Sequence, residues 1–382
     1  MANIRFWFVE IWYAFINEDE GVKDKMSFQQ ALLKWYQVHQ RTLPFRESLD
    51  PYHIWISEIM LQQTQMDTVL PYYKRFMEAF PTVYDLAKAP QERVMHLWAG
   101  LGYYSRARNL HKCAKVIVEK HQGRFPEDYQ EALKLPGIGP YTAGAVLSIA
   151  YNQPIPAVDG NVLRVFSRLF DSHLDIGEAK NKRVIQNQIR ELIPDNARDF
   201  NQALMELGAL VCLPKKPRCE SCPLTNSCQA KERSLQDELP VKRKKIKNKK
   251  IPVAVGIIKK HNKIMITKAS TELLNGLWGF PIAEGKNTEN AKEQLINYLK
   301  ETINKGTCSL KVIGSTKHVF THKTWMMTLY ENNYPGELNE EVLQQYDNDK
   351  SMAKNEEIKW VTLEDLSKYP MATAFKKLLK RF

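Results

Sequence analysis

Between Phe28 and about Leu210, apolar residues recur three or four positions apart with polar residues between them, the spacing that lays one stripe along an α-helix. SFQQALLKWYQVH opens the pattern, with Ser27 placed as an N-cap. HIWISEIMLQQTQMDTVLPYYKRFMEAF, VMHLWAGLGYYSRARNLHKCAKVIVEKH and NVLRVFSRLF continue it. No convincing strand interrupts them, so this part is expected to be all-α. Beyond Ile251 the period shortens. IPVAVGIIKK and NKIMITKA predict the two strands of a hairpin, and Asn287 to Asn304 a helix. LKVIGSTKHVF and TWMMTLY predict further strands, and EIKWVTLEDLSKY a strand leading into a helix. Ile251 to Phe382 therefore reads as a separate α+β domain.

A chain of 382 residues has room for two or three domains. A hydrophobic fraction of 43% and eight tryptophans suit packed cores, not disorder. The net charge of +12 points to a polyanionic partner, either nucleic acid or an anionic membrane surface. The apolar start, NIRFWFVEIWYAF, is broken by Arg5 and Glu10, is too short to span a bilayer and has no small-residue cleavage site. We expect residues 1–25 to be an accessory extension, or an upstream start with Met26 the usual one, and the protein to be cytoplasmic. VKRKKIKNKK, Val241 to Lys250, has no apolar period and reads as a solvated basic linker. The expected organisation is an extension (1–25), a helical domain (26–230), a linker (231–250) and the α+β domain (251–382).

Cys212, Cys219, Cys222 and Cys228 stand in the pattern C-x6-C-x2-C-x5-C, in a polar loop with Pro214, Pro217 and Pro223. Four thiolates so placed can wrap one centre, and the spacing allows either zinc or an iron–sulfur cluster. Between the first two, Lys215, Lys216 and Arg218 would lie on a loop that the metal holds rigid, suited to phosphate contact. Cys113 and Cys308 are isolated and read as ordinary thiols.

LPGIGPYTAGAV predicts a helix–hairpin–helix, with Gly137 and Gly139 in the turn and a new helix at Tyr141. Glycines let backbone approach a phosphate closely, and the N–H groups of a helix start favour an anion. Such a turn grips backbone and not bases. Asp159, in AVDGNVLRVFSRLF, is placed as an N-cap; the helix end is expected to lower its pKa and keep it ionised. Glu58, in WISEIMLQQTQ, lies in an apolar helix whose burial would keep it protonated near neutral pH. One carboxyl that holds its proton and one that does not form the pair needed to cleave a glycosidic bond.

SEIMLQQTQ, GLGYYSRARNL, LPGIGPYTA, AVDGNVLRV and the four cysteines, in this order, resemble the adenine DNA glycosylase (MutY) family of the helix–hairpin–helix glycosylases. The match runs from about Phe28 to the C-terminus. The resemblance implies a multidomain fold: a helical glycosylase domain ending in an iron–sulfur loop, then a Nudix-like α+β domain. It implies a base-flipping enzyme of base excision repair, a monomer that removes adenine opposite 8-oxoguanine or guanine in duplex DNA. Endonuclease III relatives carry a lysine where this chain has Tyr141, and tyrosine forms no Schiff base, so the implied enzyme leaves an abasic site uncut.

By the same resemblance, Glu58 protonates the adenine and Asp159 stabilises the sugar cation, with Tyr141 and Asn161 assisting. Gln63, Thr64, Leu101 and Tyr103 fall at the intercalating and damage-contacting positions. The four cysteines hold a 4Fe–4S cluster. In HVFTH, the segment Phe320, Thr321 and His322 stands where the family reads 8-oxoguanine with Phe-Ser-His, and threonine keeps the hydroxyl. Gly279, in LWGFP, departs from the family's usual glutamate. Only Glu293 and Glu301 stand in the helix that is acidic in nucleotide pyrophosphohydrolases, so no hydrolysis of free nucleotides is expected; turnover of oxidised dGTP would overturn that. Two competing readings are an oxidised-pyrimidine glycosylase that nicks the strand and a non-catalytic damage-binding protein.

Overall fold

The computed structural model describes residues 19–243, 248–269, 274–303, 310–320, 323–333 and 357–379, with side chains from Phe28 onward. Most of the expected extension, part of the basic linker, Cys308, Thr321 and His322 lie outside the described residues. The chain divides into two compact units, one of residues 1–73, 80–87 and 112–244, the other of 74–79, 88–111 and 245–382.

Helices build the first unit. The opening helix runs Asp19–His39, so Ser27 lies inside it and does not cap it. Its Phe28, Leu32 and Tyr36 enter a core shared with Phe166 of the Gly160–Leu169 helix and Phe200 and Leu204 of the Ala197–Leu210 helix. Each large side chain fully buried here contributes about 1.5–3 kcal/mol. The Pro140–Tyr151 helix is buried along most of its length. Gly144 lets it lie against Pro156, whose carbonyl oxygen would sit 2.3 Å from a Cβ.

Two segments that read as unbroken helical pattern are broken. The first divides into Pro51–Leu61 and Met66–Ala79, with Gln63 at φ +56 between them. The second divides into Gln91–Trp98 and Tyr104–His121, with Gly100, Gly102 and Tyr103 at φ +114, +78 and +49. Apolar periodicity persists across both breaks, which is why it conceals them.

In the second unit the described residues form a mixed seven-stranded sheet of order β3-β2-β1-β6-β5, with β4 paired to β1 and β7 (Ile358–Thr362) to β2. β1 (Lys249–Lys260) and β2 (Lys263–Lys268) form the expected hairpin, turning at His261, φ +51. β1 runs parallel to β6 (Lys323–Asn333). β5 (Lys311–Val319) lies antiparallel to β6 at the sheet's edge. The Thr288–Ile303 helix packs Ala291, Leu295 and Leu299 on Ala254 and Ile258 of β1. β3 (Trp278–Gly279) and β4 (Ile282–Glu284) are too short to show an alternation in sequence.

Candidate active site

Asp50 opens the Pro51–Leu61 helix by accepting from the Tyr52 N–H at 2.8 Å, and Pro51 fills the first position, where no N–H is needed. Two turns on, Glu58 is 7% exposed. Burial pushes its carboxyl up to about 7; a hydrogen bond from the Tyr141 hydroxyl opposes the rise, the Asp159 charge adds to it and Arg46 opposes it.

Tyr141 donates its hydroxyl to Glu58 Oε2, and Met205 Sδ lies 3.5 Å from the phenol oxygen. Burial raises the phenol well above its ordinary range, so it remains a neutral donor. The turn before it needs glycine at Gly137, φ +78. Gly139 caps the helix with extended backbone, and nothing lies within 4 Å of where its Cβ would stand. That bare backbone at a helix start is what a phosphate needs.

Asp159 caps the Gly160–Leu169 helix: Oδ1 accepts from the Val162 N–H at 2.7 Å and Oδ2 from Asn161 Nδ2 at 2.9 Å. Its pKa is not lowered, as the helix end alone would have it. Burial raises it, against hydrogen bonds from Val162 and Asn161 and the charge of Arg164. Those contacts favour its ionised form, as the Tyr141 hydrogen bond and Arg46 favour that of Glu58. Arg164 fixes Asn161 in turn: Nη2 donates to Asn161 Oδ1 at 2.9 Å and to the Gly208 carbonyl at 2.8 Å. A Cβ on Gly208 would stand 2.6 Å from that of Asn161, so glycine sets the close approach of the Ala197–Leu210 helix.

Sequence reasoning passed over a second buried carboxylate. Glu206, 1% exposed, accepts from Arg41 Nε at 2.7 Å and Nη2 at 2.9 Å, and from Arg46 Nη2 at 2.8 Å. Burial alone would raise it, but the two guanidiniums hold it at about 2. It follows Met205, which touches Tyr141, and it neutralises the Arg46 that acts on Glu58. A lone glutamate in FNQALMELGAL was the available signal, of the same kind that marked Glu58.

Gln63 and Tyr103 are exposed non-glycine residues in the left-handed region. Thr64 is half-buried, its hydroxyl 3.3 Å from the Gln62 carbonyl oxygen. Leu101 is 6% exposed and packed as a core residue would be. Lys215, Lys216 and Arg218 are exposed on a loop closed by the Arg218 N–H donating to the Val211 carbonyl at 2.9 Å. Cys212, Cys222 and Cys228 pack, partly buried, against the helical core, and Arg168 Nη1 lies 3.3 Å from Cys212 Sγ. Each pair of the four thiols is close enough for one charge to act on the other. No three His, Cys, Asp or Glu among the described residues converge as a single-ion site. Cys113 is buried, and burial raises its thiol far above the ordinary range.

In the sheet unit, Phe320 follows the edge strand. Its N–H donates to the Lys323 carbonyl at 2.8 Å, and its ring meets His318 and Trp325 edge-on. Gly279 is buried, with the Phe375 ring 2.2 Å from where a Cβ would stand. Phe375 therefore fills the room that a side chain at 279 would require. No helix among the described residues is long and apolar enough to cross a membrane.

A helical unit carrying paired buried carboxyls beside a glycine-turned hairpin is the frame of a base excision DNA repair protein. Residues 56–195 match the HhH-GPD superfamily base excision DNA repair protein family and residues 253–381 the NUDIX domain. An adenine DNA glycosylase of Buchnera aphidicola (subsp. Schizaphis graminum) is 37% identical over 302 residues, covering 78% of this chain and 85% of that protein. The Arabidopsis thaliana adenine DNA glycosylase is 35% identical over 80% of this chain, which spans 56% of that protein's length. The Homo sapiens adenine DNA glycosylase is 42% identical over 57% of this chain and 42% of its own length. The solved structure of a thermostable thymine-DNA glycosylase superposes with TM-score 0.52 at 30% identity, over 56% of this chain and all of that one. The chain belongs to the adenine DNA glycosylase family.

Proposed function

We propose that the chain is a monofunctional DNA glycosylase that hydrolyses the N-glycosidic bond of adenine opposite 8-oxoguanine or guanine and leaves an abasic site. The observation that carries this reading is the hydrogen bond from Tyr141 to buried Glu58, close enough to Asp159 for the two charges to interact. The phenol occupies Glu58 Oε2, leaving Oε1 to carry a proton to the base. Protonation drains electrons from the glycosidic bond, and the Asp159 carboxylate, oriented by Asn161 and the Val162 N–H, stabilises the sugar cation that develops. Tyr141 supplies no amine and so forms no imine with the sugar.

Gly137, Gly139, Lys215, Lys216 and Arg218 would hold phosphates, and Gln63, Thr64, Leu101 and Tyr103 would fill the stack that the flipped adenine leaves. Leu101 must leave its packing to do so; Tyr103 is already exposed. Phe320, with Thr321 and His322, would read the opposite 8-oxoguanine. Cys212, Cys219, Cys222 and Cys228 would hold a 4Fe–4S cluster, a group that four thiolates can ligate, and three of them already pack partly buried against the helical core. Such a cluster would clamp the loop that presents Lys215 and Lys216.

The test is excision from a duplex with one adenine opposite 8-oxoguanine, run with and without alkali. Strand cleavage seen only after alkali is the expected result. Nicking without alkali would reject the monofunctional reading, and tight binding without reaction would point to a damage-binding protein.

A further inference from the structure

The turn between Trp98 and Tyr104 adopts a conformation that its sequence makes costly. Gly100 and Gly102 accept positive φ freely, but Tyr103 at φ +49 does not. Burial does not offset that strain, because the Tyr103 ring is 45% exposed. The compensating contacts come from one turn into the next helix. The Arg106 guanidinium carbon lies 5.0 Å from the Tyr103 ring centroid and 5.4 Å from that of Trp98, which is fully buried. Arg106 Nη2 and Trp98 Nε1 donate to the same Gly102 carbonyl, at 3.3 and 3.0 Å, and the Arg106 N–H donates to the Tyr103 carbonyl at 2.9 Å. Burial lowers the guanidinium pKa to about 10, so the cation sits here at a solvation cost. A structural arginine could satisfy its stem and charge without touching an exposed ring; this one lies against it.

We propose that Arg106 and Trp98 are positioning residues that hold Tyr103 in its left-handed, outward conformation, so that the ring is set before duplex DNA arrives. This rests on the reading of Tyr103 as a residue that enters the base stack. A ring already fixed loses little rotamer freedom on insertion, so more of its stacking energy remains to open the base pair. The planar guanidinium is what the contact uses, and lysine offers the charge without the plane.

Two measurements on Arg106→Met, Arg106→Lys and Tyr103→Ala test this. The first needs no DNA: hydrogen exchange at the amides of residues 100–104. In Arg106→Met it should speed up about tenfold, while the Pro140–Tyr151 helix exchanges as before. Arg106→Lys should restore only part of the protection, and it guards against a methionine variant that folds poorly. Unchanged exchange at 100–104 in both variants overturns the proposal, whatever reaction the protein performs. The second is single-turnover excision of adenine opposite 8-oxoguanine. Arg106→Met should lower the rate about tenfold in the wild-type background and hardly at all when Tyr103 is already alanine. Additive losses in the double variant would mean that Arg106 does not act through Tyr103. If Tyr103→Ala alone leaves excision unchanged, the base-stack reading of Tyr103 has failed, and the exchange result still decides the clamp.

Discussion

Glu58 and Asp159 lie close enough for one to raise the other's pKa, yet they are to hold opposite protonation states. The pH profile of excision should therefore fall as pH rises through about 7, where Glu58 loses its proton, and fall again on the acid side as Asp159 gains one. Glu58→Gln should lower the rate by about a hundredfold or more; a rate near wild type would remove the acid. The same substitution reports on stability. The folded pKa of about 7 lies above the ordinary 4.5, so Glu58's contribution is full below 4.5 and is lost as pH rises to 7. Urea unfolding at pH 5 and pH 8 should show the balance moving toward Glu58→Gln by about 2–3 kcal/mol. At Asp159, capping and chemistry can be separated. Asparagine caps a helix as well as aspartate does, so Asp159→Asn should keep stability within about 0.5 kcal/mol while excision collapses. Gly279 makes a different prediction. Glutamate there must displace a buried Phe375 and should cost about 1–3 kcal/mol in thermal unfolding.

At the scale of elements, the Arg41–Glu206–Arg46 cluster joins the segment before the Pro51–Leu61 helix to the Ala197–Leu210 helix. Glu206→Gln frees the Arg46 charge to favour ionised Glu58, so the alkaline limb of the pH profile should move to lower pH; an unmoved limb would uncouple Glu206 from the acid. The elements also show what the sequence makes legible. Amphipathic spacing gave the helices, and short alternating runs gave β1, β2, β5 and β6. The same spacing ran through the breaks at Gln63 and Tyr103, because backbone reversal leaves no mark on apolar periodicity when a non-glycine residue takes the left-handed conformation. Glu58 and Asp159 were legible because a carboxylate in an apolar stretch and one at a helix start are local signals. Arg41, Arg46 and Glu206 are linked across 165 positions or fewer of intervening chain, and pairing of that kind is visible only in space. The pKa of Asp159 was misjudged for a related reason: the helix end is local, whereas burial depends on everything packed around it.

At the scale of the molecule, residues 88–111 belong to the same compact unit as 245–382. Cutting the chain at Ile251 would therefore remove more than a reading loop, and a point substitution is the cleaner probe. Phe320→Ala in the full chain should leave excision opposite guanine nearly unchanged and reduce the preference for 8-oxoguanine. An unaltered preference would take Phe320 out of damage recognition. A last consequence concerns the Gly160–Leu169 helix, ten residues and about 15 Å long. Asp159 stands at one end. Near the other, Arg168 is bonded to the carbonyls of Leu213, Pro214 and Leu239. Arg164, between them, is bonded to Cys212 and Asn161. The basic loop and the carboxylate are thus the two ends of one stiff rod. Whatever fixes the Cys212–Pro214 backbone therefore also steadies the helix whose first turn Asp159 caps.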